Sequence, residues 1–239
     1  MTIKTDTLDT WTNYETGPIK SAENTHKHIR DRLEDPDSRL NDRGEMRFGT
    51  LLQGSYANHT IIHGSSDVDI LVRMDNPYKG NKKRLSSRLQ RRYRNEADYF
   101  DGNYSLEEFQ QDVLDELQSI YGSNAVERQE KAIVIDSDSC PLPLDADVVP
   151  CQHYRIYTTF NGDQHDEDTY YQGIRFKTTN GTEITSYPQR HMDHGEEMNK
   201  ACNGNYKETV RIFKNARDSL VRHDRLNEGD APSYYIECL

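Results

Sequence analysis

The chain has 239 residues, of which 33% are hydrophobic and 30% charged, and its formal net charge is −11. That length buries one good core or two small lobes; so polar a composition would suit a disordered chain, a reading that the apolar strands and periodic helices below exclude. No apolar stretch is long enough to span a membrane, the N-terminus lacks a signal-peptide pattern, and Cys140, Cys151, Cys202 and Cys238 form neither a C-x-x-C pair nor a framework.

A reducing cytoplasm is the simplest setting for such a chain. Asp exceeds Glu and Arg exceeds Lys, a bias similar to that of proteins from salt-loving microbes, whose acidic surfaces keep them soluble. Residues 1–16, rich in Thr and Asp, read as poorly ordered. Ile19 to Leu33 carries a mixed polar helix pattern that ends at Asp35-Pro36. Arg47 to Leu52 reads as the first strand and leads into Gly54-Ser55. That pair offers a tight turn whose backbone N–H groups and hydroxyl suit phosphate oxygens.

Ser66 to Arg73 reads as the second strand. Asp67 and Asp69 alternate with Val68, Ile70 and Val72, so both carboxylates project from one face while the apolar residues enter a core. Two carboxylates so close repel unless a cation neutralises them, and hard divalent cations with phosphate-bearing substrates are the usual solution. His59 and His63 are four apart but not on a helix, which argues against a zinc site. The block from Asn76 to Asn95 holds Lys79, Lys82, Lys83, Arg84, Arg88, Arg91, Arg92 and Arg94 and no acid. It reads as a mobile solvated loop, as a basic helix face packed on acidic neighbours, or as a site for nucleic acid or polyphosphate.

Ser105 to Tyr121 has the cleanest helix pattern. Ser105 and Glu108 form a capping box, Leu106, Phe109, Val113, Leu117 and Ile120 share one face, and Gly122 ends it. Ala132 to Asp136 and Leu142 to Cys151 read as strands able to pair. The second carries Asp145 and Asp147 on one face. Three carboxylates can hold two Mg²⁺ ions around one phosphoryl group, and one of them, assigned here to Asp147, can take the proton of an attacking hydroxyl. Asp145 either supports that group from behind or faces solvent. Tyr154 to Phe160 and Ile174 to Thr178 are further strand candidates, and from His191 onward the chain reads as mainly helical.

An apolar residue, Gly-Ser, a gap of about a dozen residues, Asp-x-Asp on a strand and a later Asp on a partner strand form a compound signature. Gly54, Ser55, Asp67, Asp69 and Asp147 match each part. The chain thereby resembles the DNA polymerase β-type nucleotidyltransferases, and within them the group holding cyclic GMP–AMP synthase and 2′-5′ oligoadenylate synthase. The resemblance runs from about Met46 to the end, loosely over 77–130. It implies an α/β (α+β) fold, with a mixed twisted sheet in a nucleotidyltransferase lobe over 17–188 and the start of a helical lobe over 189–239. The family continues with more helices, so the resemblance also implies a fragment, a truncated gene or a minimal version.

From Asn205 to Arg222, Tyr206, Val210, Phe213, Ala216 and Leu220 recur at helical spacing, and Lys207, Arg211 and Lys214 share a second face. A solvated basic face paired with surface acids is the plain reading. The resemblance implies instead that Arg211 and Lys214, at the family's Arg-x-x-Lys spacing, contact donor triphosphate, with Lys207 a bystander. It likewise implies that Ser233 bonds the nucleotide and Tyr234 stacks on its base, although Ser after Pro232 also suits an ordinary helix start. The implied reaction is Mg²⁺-dependent transfer of a nucleotide from a nucleoside triphosphate, ATP favoured, to a hydroxyl, with two ions and Mn²⁺ as a possible substitute. The implied product is a cyclic or linear oligonucleotide messenger in antiviral defence. Transfer to a small molecule, a protein or an RNA end, and a catalytically silent nucleotide-binding module, stay open as alternatives.

Overall fold

The alternation that follows Asp67 builds the second strand of a seven-stranded mixed sheet. The computed structural model describes residues 4–12, 16–44, 46–62, 67–97, 104–227 and 229–238; His63 and Ser66, named above, lie outside them. In chain order the elements are α1 (Thr5–Thr12), α2 (Thr16–Leu33), β1 (Arg47–Leu52), α3 (Gly54–Ala57), β2 (Val68–Asn81), α4 (Ser87–Glu96), α5 (Leu106–Tyr121), β3 (Val126–Arg128), β4 (Ile133–Ile135), β5 (Ala146–Tyr157), β6 (Tyr170–Lys177), β7 (Glu183–Ser186), α6 (Pro188–Ala201), α7 (Asn205–Arg222) and α8 (Ser233–Glu237). The mixed α/β class expected from the sequence is the one observed.

The strands run β1-β2-β5-β4-β3, and β6 joins β5 and carries β7 beyond it. β2 and β5 are parallel, while the other pairings are antiparallel. β5 is the organising strand: its first residues pair with β4 and its last six with β6. The separate strand expected at Tyr154 to Phe160 is therefore the continuation of β5, ending at Tyr157.

Period-two burial sets the two faces of the sheet. Val68, Ile70, Val72 and Met74 of β2 are fully buried, with Ile133, Ile135 and Val148, against Ile29 and Leu33 of α2 and Phe109, Val113 and Leu117 of α5. α5 begins at the capping box of Ser105 and Glu108 and stops at Gly122, whose φ is +91°. Asp69, Leu71 and Arg73 take the opposite face, where Leu71 packs with Cys151, Ile174 and Phe176. That is the face left to chemistry.

The basic block is no loose loop. Its start completes β2, and α4 is anchored by Leu85 and Tyr93 in a cluster with Tyr157, Phe160 and Tyr170. Lys82 lies over the Tyr93 ring, Arg84 over Tyr171, and Arg92 over Phe160 and against Glu96. Arg88 and Arg91 remain exposed on α4. At the N-terminus, Thr5–Thr12 are helical where the sequence suggests little order, because α1 packs on α7. No helix among the described residues is long and apolar enough to cross a membrane.

Candidate active site

Parallel pairing of β2 with β5 places Asp69 directly opposite Asp147, each the second residue of its strand. Asp67, exposed, stands just before β2 and shares the face of Asp69. Asp145 precedes β5, and its carbonyl accepts from Val68 N at 2.9 Å, locking the two strand starts together. The three expected catalytic carboxylates thus gather at one end of the sheet. Burial, and then Asp147 and Asp67, push the Asp69 carboxyl up to about 6, with Glu237 adding to the rise and Lys214 opposing it. Asp147 is raised as well, by burial and then by Asp67 and Asp145. Both shifts have the cause expected of acids crowded into one half-buried place.

Of the two readings of Asp145, the structure shows a half-buried, hydrogen-bonded carboxylate behind the site rather than a solvated one. Its Oδ1 accepts from Ser137 N at 2.8 Å and from Ser137 Oγ at 2.5 Å, so it fastens the 3₁₀ turn over Ser137–Ser139.

The Gly54-Ser55 turn is seated on Asp69. Gln53 N donates to the Asp69 carbonyl at 2.8 Å, and Gly54 follows with φ +69°. A Cβ at Gly54 would stand 1.9 Å from Asp69 Oδ2. Glycine is required there twice over, for the left-handed backbone and for the close approach. Ser55 is half-buried, and its carbonyl accepts from Thr60 N at 2.9 Å, which draws residues 58–60 back over the turn.

α7 reverses the amphipathic reading of its sequence. Phe213 and Leu220 are 51% and 44% exposed, whereas Lys207, Arg211 and Lys214 are 8%, 6% and 2% exposed. Only Val210 of the expected apolar stripe is buried. The cations face inward because each finds anions or carbonyls there, as buried charge demands. Lys207 pairs with Glu196. Arg211 donates to the carbonyls of Thr12 and His59, each at 2.8 Å. Lys214 pairs with Glu237 and donates to Thr60 O at 3.2 Å and Thr60 Oγ1 at 3.3 Å.

α8 closes the site. Ser233 does not cap it: Ser233 Oγ accepts from Arg217 Nη1 at 2.8 Å. Tyr234 is 65% exposed, and its ring stacks on His191 with centroids 5.3 Å apart. A cavity of about 440 Å³ runs from Gly54 past Asn58 to His191, Tyr234 and Glu237, and it is large enough for a nucleotide. Glu237, Asn58, Thr60 and His191 carry no signal in the sequence. They are single polar residues scattered over the chain, without a shared spacing.

A divalent cation suits the donor set. Three carboxylates gather at one sheet end, and two of them have a proton affinity raised by burial and mutual crowding, which such an ion would relieve. As the side chains stand, no three His, Cys, Asp or Glu groups among the described residues already surround a metal position, so the carboxylates would turn inward on the ion.

The profile of the cGAS/DncV-like nucleotidyltransferase C-terminal helical domain matches residues 193–239. The chain is similar to the cyclic nucleotide synthase CdnE01 of Staphylococcus haemolyticus, with 35% identity over 100% of this chain and 76% of the relative. It is also similar to the cyclic UMP-AMP synthase of Rhodothermus marinus, with 32% identity over 100% of this chain and 76% of the relative. The solved structure of the Rhodothermus marinus c-UMP-AMP synthase with Apcpp and Upnpp superposes at a TM-score of 0.76 with 30% identity, covering 99% of this chain and 74% of that one. With relatives of this identity and coverage, the chain belongs to the cGAS/DncV-like family of nucleotidyltransferases.

Proposed function

We propose that the chain joins two nucleoside triphosphates into a cyclic dinucleotide messenger, with ATP as the favoured donor. The observation that carries this reading is the register of Asp69 against Asp147 beneath a glycine turn where a Cβ would press on the Asp69 carboxylate. Asp67, Asp69 and Asp147 would hold two Mg²⁺ ions, with Mn²⁺ an acceptable substitute. When bound, such ions polarise the phosphoryl oxygens and neutralise the charge of the leaving pyrophosphate. The turn at Gly54-Ser55 lies where it can cradle phosphate oxygens, and Arg211 and Lys214 supply positive charge behind it. Ser233 and Tyr234 hold the nucleoside end, Tyr234 by stacking on the base.

The transfer itself needs a hydroxyl and a proton acceptor. The hydroxyl oxygen of the second nucleotide bonds to the donor α-phosphorus, the bridging oxygen leaves with pyrophosphate, and the hydroxyl proton passes to Asp147. A carboxylate placed beside the attacking hydroxyl can serve as its general base. The same chemistry run twice closes a ring. A role in antiviral defence, in the cytoplasm, follows from the messenger reading. Exposed Arg88 and Arg91 are the residues through which α4 would meet nucleic acid, an association expected to weaken steeply with salt.

Incubation with α-labelled ATP, GTP, CTP and UTP, singly and mixed, with Mg²⁺ tests the proposal. A phosphatase-resistant product, absent from the Asp67→Ala/Asp69→Ala variant, is expected. A product that forms only when a small molecule, protein or RNA acceptor is added would overturn the messenger reading.

A further inference from the structure

Lys214 carries three N–H donors, and all three are used within the protein. One meets Glu237 Oε1, and the other two meet the carbonyl and hydroxyl of Thr60. The Lys214 side chain is 3% exposed. As it stands it offers no donor to a phosphate, yet it lies within electrostatic reach of Asp69, as does Glu237. A triphosphate that Lys214 binds must take one of these donors from a present partner.

The identity of that partner follows from charge. Thr60 is neutral, and its hydroxyl itself donates to Glu237 Oε1 at 2.7 Å. Glu237 is the anion, and it alone is repelled by an arriving triphosphate. It also has other partners to fall back on: Asn58 Nδ2 donates to Oε2 at 3.0 Å, and His191 Nε2 faces the same oxygen at 3.3 Å. These contacts tie four places together. Asn58 and Thr60 follow the glycine turn, His191 lies on α6, Lys214 on α7, and Glu237 on the helix that carries Tyr234.

We propose that Glu237 is a positioning residue that holds Lys214 as an internal counter-ion in the nucleotide-free enzyme and yields it to the donor triphosphate. The inference rests on the reading of Lys214 as a triphosphate ligand. Its consequence is a stabilising ion pair that opposes donor binding. Removing the carboxylate destabilises the free protein, because Lys214 stays buried without an anion, and the same loss tightens the complex with triphosphate. A purely structural glutamate behaves otherwise, since its loss weakens fold and binding together.

The test measures binding of a non-hydrolysable ATP analogue and of adenosine, with Mg²⁺, to the full chain and its variants. Glu237→Gln is expected to melt below the wild type without ligand, yet to bind the analogue at least fivefold more tightly. Adenosine affinity should not change, and the gain should vanish in the Lys214→Gln/Glu237→Gln double variant. Folded Glu237→Gln with equal or weaker analogue binding overturns the proposal. Folded Lys214→Gln with undiminished analogue binding overturns the reading of Lys214 beneath it. Should Glu237→Gln not fold, Glu237→Asp, which withdraws the carboxylate by one methylene, is judged by the same two criteria. A crystal of the wild type with the analogue is an independent arm: Lys214 Nζ on a phosphate and off Glu237 is expected, and retention of the Lys214–Glu237 pair contradicts the exchange.

Discussion

Replacing Gly54 by alanine adds one carbon at the point where turn and strand meet. Its φ of +69° is a left-handed conformation, which costs an L-residue with a Cβ about 1–2 kcal/mol. The new Cβ would lie 1.9 Å from Asp69 Oδ2, 2.8 Å from Asp69 Cγ and 3.2 Å from Asp69 Cβ. All three atoms belong to one side chain, and the Gln53 N to Asp69 O bond of 2.8 Å holds the backbone behind it. Relief therefore comes from turning the Asp69 side chain, at about 0.5–1.5 kcal/mol for an off-rotamer position. A total of about 2–3 kcal/mol lowers the melting temperature of a chain this size by roughly 5–10 °C. Activity suffers more, since displacing a reacting group by about 1 Å costs on the order of a hundredfold in rate. Circular-dichroism melts and turnover of labelled nucleotide read the two effects. Gly49→Ala is the control, because its Cβ would meet only Asp75 Oδ2 at an ordinary 3.6 Å. Gly54→Ala with the melting temperature and turnover of the wild type would refute the reasoning.

Asp69→Asn should stabilise the metal-free protein at neutral pH. The carboxyl is raised from 3.8 to about 6, so the wild type loses stability as pH climbs from about 4 through about 6, by about 3 kcal/mol in all. Melts in chelator should coincide near pH 4 and favour the variant near pH 8; a gap that does not vary with pH would contradict the crowding of charge. Tyr234→Ala should raise the donor KM roughly tenfold to a hundredfold through lost base stacking and leave the melting temperature unchanged, because the ring is 65% exposed. A fall in melting temperature with unchanged KM would make Tyr234 structural. Asp145→Asn should lose about 1 kcal/mol with its weakened bonds to Ser137 and keep its turnover, whereas Asp147→Asn should fold and lose turnover. Inactive Asp145→Asn of wild-type stability would place Asp145 among the catalytic groups.

Local regularities carried most of the fold into the sequence. Arg47–Leu52 and Asn205–Arg222 end where their patterns end, and the capping box marks the start of α5. Asp67 and Asp69 were legible because a spacing of two fixes one face of a strand. Asp147 was legible by its similar strand, and the register with Asp69 is what the sequence could not supply. β2 runs past its expected end at Arg73 to Asn81 because β5 continues beside it from Tyr154 to Ile156. β3 and β7 carry one apolar residue each, Val126 and Ile184, too few to show a strand pattern. The inverted burial of α7 has a different cause. Hydrophobic period assigns the apolar stripe to the core, but here the cations face inward and are compensated by Glu196, Glu237 and backbone carbonyls. Such compensation joins residues far apart in sequence, which is why Glu237, Asn58 and Thr60 stayed invisible until the chain was folded.

The central claim is that Asp67, Asp69 and Asp147 form one metal-binding catalytic centre beneath the Gly54 turn. A crystal grown with Mn²⁺ and a non-hydrolysable nucleoside triphosphate tests it most directly, because manganese is located by its anomalous signal. The account predicts manganese between the carboxylates of Asp69 and Asp147, with Asp67 on the same ions and the triphosphate against Gly54 and Ser55. Manganese bound elsewhere, or a triphosphate seated away from the turn with the three carboxylates unengaged, would contradict it.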